Sequence, residues 1–165
     1  MDRKIDQNLE KINNNDSSYQ VRKSISRLLA VQALYSIDLD DSKKDNWEKA
    51  ILQILTDYHD EDISANYDSK LLSNIMENTL VNIEFIDHQI SNYLTEGWSL
   101  IKLEALLRSI LRAGVAEICY IDKVPTKVII DEYTKLTKHF YFESEIGFVN
   151  AILDNIGKNL RKISV

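Results

Sequence analysis

The sequence contains few of the residues that crosslink or redirect a chain: one cysteine, one proline and four glycines among 165 residues. A single cysteine, Cys119, excludes an intramolecular disulfide and is typical of a reducing compartment. Cys119 lies within an apolar helical pattern, so we expect it to pack in the core. No apolar run approaches the roughly 20 residues needed to cross a bilayer, and the N-terminus lacks the apolar core of a signal peptide. These absences predict a cytoplasmic protein without a membrane anchor.

The residue patterns of common catalytic and metal sites are also missing. The four glycines are isolated from one another, so there is no glycine-rich phosphate loop. The three histidines form no HExxH motif. A di-iron site in a helical bundle needs Glu-x-x-His pairs, but Phe85 and Leu136 stand three residues before His88 and His139. The sequence therefore predicts a protein that is not an enzyme and binds no metal or cofactor.

The charge balance restricts the partners that this chain can bind. The formal net charge is −6 at pH 7 and the sequence pI is about 5.1. The field of the whole molecule therefore opposes binding to nucleic acid, which requires a local cationic patch. A second, basic protein would assist such binding.

The apolar residues indicate an all-helical protein. From residue 21 onward they recur at spacings of three and four, which is the helical period. The pattern predicts helices over about 21–38, 46–58, 68–94, 99–122 and 126–142, with a last helix capped at Ser144. The only proline, Pro125, separates two of these helices because it lacks an amide hydrogen. Gly114, in mid-helix, predicts close approach of another helix. Residues 1–20 are polar and predict a disordered extension ahead of a single domain over 21–165.

The first predicted helix carries a small basic cluster. Between Val21 and Ile37 there is no acidic residue, and Lys23 and Arg27 stand four apart, on one face near the helix N-terminus. This face is either solvated or binds an anion such as phosphate.

Three further side chains are open to two interpretations. Gln32 can read a base edge, and Tyr35 and Phe148 can stack on unpaired bases. Tyr35 near an apolar stripe is more often a residue at the edge of a core, and Phe148 is either an added aromatic core residue or a stacking platform.

Three ordered motifs resemble those of the NusB family of transcription antitermination factors. The motifs are Lys23-Ser24-x-x-Arg27-Leu28-x-Ala30-Val31-Gln32-Ala33-Leu34-Tyr35, Glu96-Gly97-Trp98-Ser99-Leu100 followed by Leu107-Arg108-Ser109-Ile110-Leu111-Arg112-Ala113-Gly114 and Glu117, and Val124-Pro125-x-Lys127-Val128-x-Ile130-x-Glu132 followed by Phe148-Val149-Asn150-x-x-Leu153-Asp154. Together they extend over about residues 21–162. The glycine-tryptophan and Leu-Arg-Ala-Gly forms are similar to those of the alphaproteobacterial branch.

The resemblance implies about seven helices in two small subdomains and a cytoplasmic, non-enzymatic RNA-binding function. It implies binding of the single-stranded boxA element of ribosomal RNA leaders together with NusE, a ribosomal protein of the small subunit. It further implies assembly with NusA, NusG and RNA polymerase. Two alternatives stay open: an RNA-binding accessory to a ribosomal RNA cytosine methyltransferase, and a self-associating helical dimer.

The resemblance also assigns residues by position. The RNA contacts that it implies are Lys23, Ser24, Arg27, Gln32, Tyr35, Lys127, Phe148 and Asn150. The helix surface that it suggests for NusE comprises Leu103, Leu107, Arg108 and Arg112. The first helix has fewer arginines than is usual in the family, so we expect weak RNA affinity in the absence of a partner.

Overall fold

The computed structural model describes the backbone of residues 2–57 and 66–161 and the side chains of residues 18–57 and 66–161. Within these ranges the chain forms seven α-helices and no strand, which confirms the all-α prediction. The helices are α1 (Asp2–Leu39), α2 (Trp47–Asp57), α3 (Ser69–Val81), α4 (Ile83–Ser91), α5 (Ala105–Tyr120), α6 (Thr126–Lys138) and α7 (Glu143–Arg161). Short 3₁₀ helices occupy Asp41–Asn46 and Leu100–Lys102. None of the described helices is long and apolar enough to span a membrane.

Helix α1 starts earlier than the apolar pattern predicts. Its backbone is helical from Asp2, so it includes the segment for which the sequence predicted disorder. The side chains of residues 1–17 lie outside the described residues. The division of the chain into an extension over 1–20 and a domain over 21–165 stays a prediction.

Helix α5 is the centre of the fold. Most of its side chains are buried, from Leu107 to Ile118. It packs against α1, α3 and α4 and also against α6 and α7. The helices thus fall into two groups around α5, in agreement with the implied architecture of two small subdomains.

Gly114 lets α7 approach the centre of α5. A Cβ atom at this position would lie 3.0 Å from Cδ1 of Leu153 and 3.4 Å from Cγ of Tyr133. This contact confirms the close approach that a glycine in mid-helix predicts. The cost of glycine in a helix, about 1 kcal/mol relative to alanine, is thereby offset by packing.

Two predicted helices differ from those observed. The helix predicted over 68–94 is interrupted at Asn82, which has φ −110° and ψ 22° and whose side-chain amide donates to the carbonyl of Asn78 at 3.0 Å. The backbone amide of Asn82 donates to the same carbonyl at 3.2 Å, so Asn82 closes the last turn of α3 with both groups. The helix predicted over 99–122 begins only at Ala105, after the turn at Gly97, whose φ of +87° suits glycine.

Cys119 packs against the core but is only half-buried. Burial raises the pKa of its thiol to about 11, although the charge of Arg161 lowers it. The thiol is therefore protonated at neutral pH, which fits the packing role that the sequence predicted.

Candidate nucleic-acid interface

The basic cluster of α1 is divided between the interior and the surface. Arg27 is 1% exposed, and its guanidinium binds Glu117 of α5, which is 0% exposed. Nε donates to Oε2 at 2.9 Å and Nη2 donates to Oε1 at 2.6 Å, so the pair is bidentate. The hydroxyl of Tyr133 on α6 donates to the same carboxylate at 2.9 Å. Three helices are thus joined by one buried polar network.

The protonation states of this network follow from its surroundings. Burial opposes the charge on Arg27, but the hydrogen bond and the charge of Glu117 outweigh it and raise the pKa of Arg27. Burial, together with the charge of Glu117, raises the pKa of Tyr133 well above its usual value. Arg27 therefore stays charged and Tyr133 stays a neutral donor at every physiological pH.

In this structure Arg27 is not exposed for the phosphate contact that the resemblance implies. Its Nε and Nη2 are occupied by Glu117, and Nη1 lies 3.6 Å from Oε2 of Glu132. A phosphate that took the place of Glu117 on Arg27 would leave a carboxylate that is 0% exposed without its cationic partner. The resemblance gave the correct motif, but the motif residue stabilises the fold.

Its two neighbours on α1 reach the surface. Ser24 is half-buried and donates its hydroxyl to Oε2 of Glu132 at 2.7 Å, so it holds α6 against α1. Lys23 is half-buried, and its ammonium lies 4.3 Å from the centroid of the Tyr19 ring, a cation–π contact. Lys23 is thus the member of the basic pair that solvent reaches.

The remaining predicted RNA contacts are spread over the molecule. Tyr35, Lys127 and Asn150 are exposed, and Gln32 is half-buried. Lys127 lies near Gly157 in the last part of α7, because its neighbour Thr126 packs on that glycine. A Cβ atom at Gly157 would lie 2.6 Å from Cγ2 of Thr126.

Phe148 lies at the opposite end of α7 from Gly157. The two positions are nine residues apart, about 14 Å along the helix axis. Phe148 is half-buried and lines a cavity of about 440 Å³ together with Trp98, Leu107 and Tyr141. Phe148 and Lys127 are therefore not brought together in one site.

The surface suggested for NusE needs a correction as well. Leu103 and Leu107 are 8% and 7% exposed and belong to the hydrophobic core, so they offer a partner little area. The apolar side chains exposed around them are Trp98, Ile101 and Phe142, at 59%, 84% and 85%. The apolar residues suggested for this contact face inward.

Arg108 and Arg112 are engaged within the chain. Arg112 donates to both carboxylate oxygens of Asp87, at 2.8 and 2.9 Å, and to Oδ1 of Asp38 at 3.1 Å. Arg108 binds the other oxygen of Asp38 and donates to the carbonyl of Leu103 at 3.0 Å. These arginines fasten α1, α4 and the turn before α5 together, and they are not free to bind a partner.

Two lysines that sequence reasoning missed lie beside Lys23. A groove of about 360 Å³ runs between α1, the start of α3 and the loop after α5, and Lys23, Lys70 and Lys123 line it. We call it the lysine groove. Its residues are about 50 positions apart in the chain, so no local motif signals them. Lys70 is the second residue of α3 and Lys123 lies in the loop between α5 and α6, and neither position signals a neighbour on α1.

The fold and this surface define a class of protein: a helical binding protein that joins a buried charge network to a small exposed cationic surface. Among the described residues no group of three or more His, Cys, Asp or Glu side chains is placed to hold a metal ion.

Comparison with known proteins identifies the family. The sequence model of the NusB family matches residues 24–158. The transcription antitermination protein NusB of Rickettsia typhi is 37% identical over 149 residues, which cover 87% of this chain and 96% of that protein. The chain belongs to the NusB family.

Solved structures agree with this assignment. NusB of T. maritima superposes with a TM-score of 0.67 at 29% identity, over 82% of this chain and 89% of that one. A chain from a crystal structure of the antitermination factors NusB and NusE in complex with dsRNA superposes with a TM-score of 0.67, over 82% of this chain and 96% of that one. The identity to that chain is 24%, so that likeness concerns the fold alone.

Proposed function

We propose that this protein is a transcription antitermination factor that binds single-stranded boxA RNA of ribosomal RNA leaders together with NusE. The observation that carries the proposal is the match to the Rickettsia typhi antitermination protein over nearly the whole length of both chains. An exposed cationic surface on an otherwise acidic helical body supports it. The protein acts in the cytoplasm, where the nascent ribosomal transcript is made.

NusE supplies the positive charge that this chain lacks. With a net charge of −6, the chain repels RNA at long range, and a basic ribosomal protein reverses the field of the complex. The exposed apolar side chains of Trp98, Ile101 and Phe142 form the contact surface for NusE, and Trp98 lines the cavity that Phe148 also lines. Aromatic anchors of this kind are typical of the centre of protein interfaces. The complex then joins NusA, NusG and RNA polymerase.

A titration of fluorescently labelled boxA RNA tests the proposal. We expect weak binding by the chain alone and clearly tighter, salt-sensitive binding after NusE is added. An RNA of the same length and scrambled sequence is the control and should gain less from NusE. If NusE produced no gain at modest salt, the proposal would be refuted.

Light scattering addresses the self-association that the resemblance leaves open. An antitermination factor of this kind should form a complex of one chain with one NusE when RNA is present. A homodimer that neither RNA nor NusE alters would contradict the proposed role.

A further inference from the structure

The lysine groove combines the two features by which proteins hold single-stranded nucleic acid. It contains the ammonium groups of Lys23, Lys70 and Lys123 and the rings of Tyr19 and Tyr120. Channels for single strands pair a cationic track for phosphates with aromatic faces for bases. No motif of the family that we recognised includes Lys70, Tyr120 or Lys123.

The charges of the groove favour an anion. Arg22 adds a further cation at its edge, since its Nη2 donates to the carbonyl of Tyr67, next to Asp68. Two acidic residues, Asp68 and Asp122, also line the groove. Asp68 is directed toward its own helix, because it is the N-cap of α3. Its Oδ1 accepts a hydrogen bond from the backbone amide of Leu71 at 3.0 Å. The lining of the groove thus has three lysines against two carboxylates, one of them engaged, on a chain whose net charge is negative.

The lysines of the groove are available to a ligand. Among the described residues no carboxylate lies within 4.0 Å of the ammonium of Lys23, Lys70 or Lys123. In contrast, the arginines at the other end of α5 are fully engaged by Asp38 and Asp87. Cations without a carboxylate partner, gathered from three separate segments, are what a polyanion requires.

The two tyrosines differ in what they offer. The ring of Tyr19 is covered by the ammonium of Lys23, so Tyr19 holds that lysine over the groove. Tyr120 ends α5 and is 37% exposed, and no cation of the described residues lies on its ring. Tyr120 is therefore the ring on which a base can stack.

We propose that the lysine groove is the surface on which this protein holds single-stranded RNA, with Lys23, Lys70 and Lys123 on phosphates and Tyr120 stacked on a base. The inference rests on the proposed function and gives it a location. An acidic peptide would also fit the lysines, but it would make no use of the exposed ring.

The test measures boxA affinity in the presence of NusE at several salt concentrations. The variant Lys70→Gln/Lys123→Gln removes two cations and keeps the length of both side chains. Each phosphate contact to a single strand contributes about 0.7 to the slope of log K against log salt, so we expect the slope to fall by about 1.4 and the affinity at 0.1 M salt by about 25-fold. The matched control is Lys44→Gln/Lys49→Gln, which removes two exposed lysines near the other end of α1, about 20 Å from Lys23.

Replacement of the ring separates stacking from charge. Tyr120→Ala should weaken binding at least about fivefold without changing the salt slope, and Tyr120→Phe should bind like the wild type.

The outcomes distinguish the location from the function. If the wild-type complex does not bind boxA, the proposed function fails. If it binds, and Lys70→Gln/Lys123→Gln matches its control in affinity and slope, the lysine groove is not the RNA surface. If that variant instead loses NusE while RNA binding is kept, the groove binds protein and the inference is overturned.

Discussion

Two cations of helix α1, one turn apart, have opposite surroundings. Arg27 is enclosed by Glu117, Tyr133 and Glu132, and Lys23 lies at the surface beside Tyr19. A shared face of the helix therefore does not give the two cations the same role. Arginine suits the interior because its planar fork binds a carboxylate through two hydrogen bonds, whereas a lysine ammonium stays hydrated. The buried network stabilises the arrangement of three helices, and the exposed lysines are left for a ligand.

The largest expected effect on stability concerns the buried network around Arg27. Glu117→Ala leaves the guanidinium of Arg27 charged and without its main partner in the core, which should lower the free energy of unfolding by about 3–5 kcal/mol. Urea denaturation at pH 7 measures it. Glu77→Ala, which removes an exposed carboxylate from α3, should stay within about 0.5 kcal/mol of the wild type. A loss below about 1 kcal/mol for Glu117→Ala would show that the network contributes little.

An intermediate effect is expected for the half-buried charges at the other end of α1. Burial opposes ionisation of Asp38, but hydrogen bonds and charges from Arg108 and Arg112 outweigh it, so its pKa lies below the usual 3.8. Because the folded pKa is the lower one, the stabilisation is present above pH 3.8 and is lost as the pH falls through the folded value. Asp38→Asn should therefore cost about 1.5–3 kcal/mol at pH 7 and much less near pH 2. A stability difference that is independent of pH would contradict this.

A smaller effect on stability should follow from adding a methyl group where α6 and α7 are in contact. The Cβ of Gly157→Ala would lie 2.6 Å from Cγ2 of Thr126, a short and branched side chain that must shift. We expect a net loss of about 1 kcal/mol, since overpacking outweighs the gain in helix propensity. Gly147→Ala meets nothing within 4 Å and should instead stabilise the protein by up to about 1 kcal/mol. Equal shifts in thermal midpoint for both variants would refute the contact.

The smallest effect on stability is expected for the exposed lysines of the lysine groove. Lys70→Gln/Lys123→Gln should change the free energy of unfolding by less than about 0.5 kcal/mol, because neither ammonium has a carboxylate partner among the described residues. Urea denaturation checks it. A loss above 1 kcal/mol would mean that these lysines stabilise the fold and are not reserved for a ligand.

The fold was predictable to the extent that its signals are local. Apolar spacing gave the helical class, Pro125 gave the boundary before α6, and Gly114 gave the close contact with α7. The break at Asn82 was missed because the apolar spacing continues through it, from Leu80 to Ile83 and Ile86.

The candidate site was less predictable, because its chemistry depends on partners distant in the chain. Glu117 stands 90 positions after Arg27, and a helical pattern cannot show which residue will face an arginine across an interface. The apolar neighbours of Glu117 in α5, such as Val115 and Ile118, were the available signal that its carboxylate is buried. Lys70 and Lys123 reach Lys23 only through the packing of α1, α3 and α5.

The role of Arg27 is tested most directly by removing it together with Glu117, the fully buried carboxylate that it neutralises. The variant Arg27→Met/Glu117→Gln replaces the ion pair by two neutral side chains. The glutamine can still accept a hydrogen bond from the hydroxyl of Tyr133, so we expect a folded protein. The measurement is the salt dependence of boxA binding by this variant in the presence of NusE. An unchanged slope is the predicted result, since Arg27 contacts no phosphate. A slope reduced by about 0.7, the share of one phosphate contact, in a variant whose circular dichroism is that of the wild type would contradict the account.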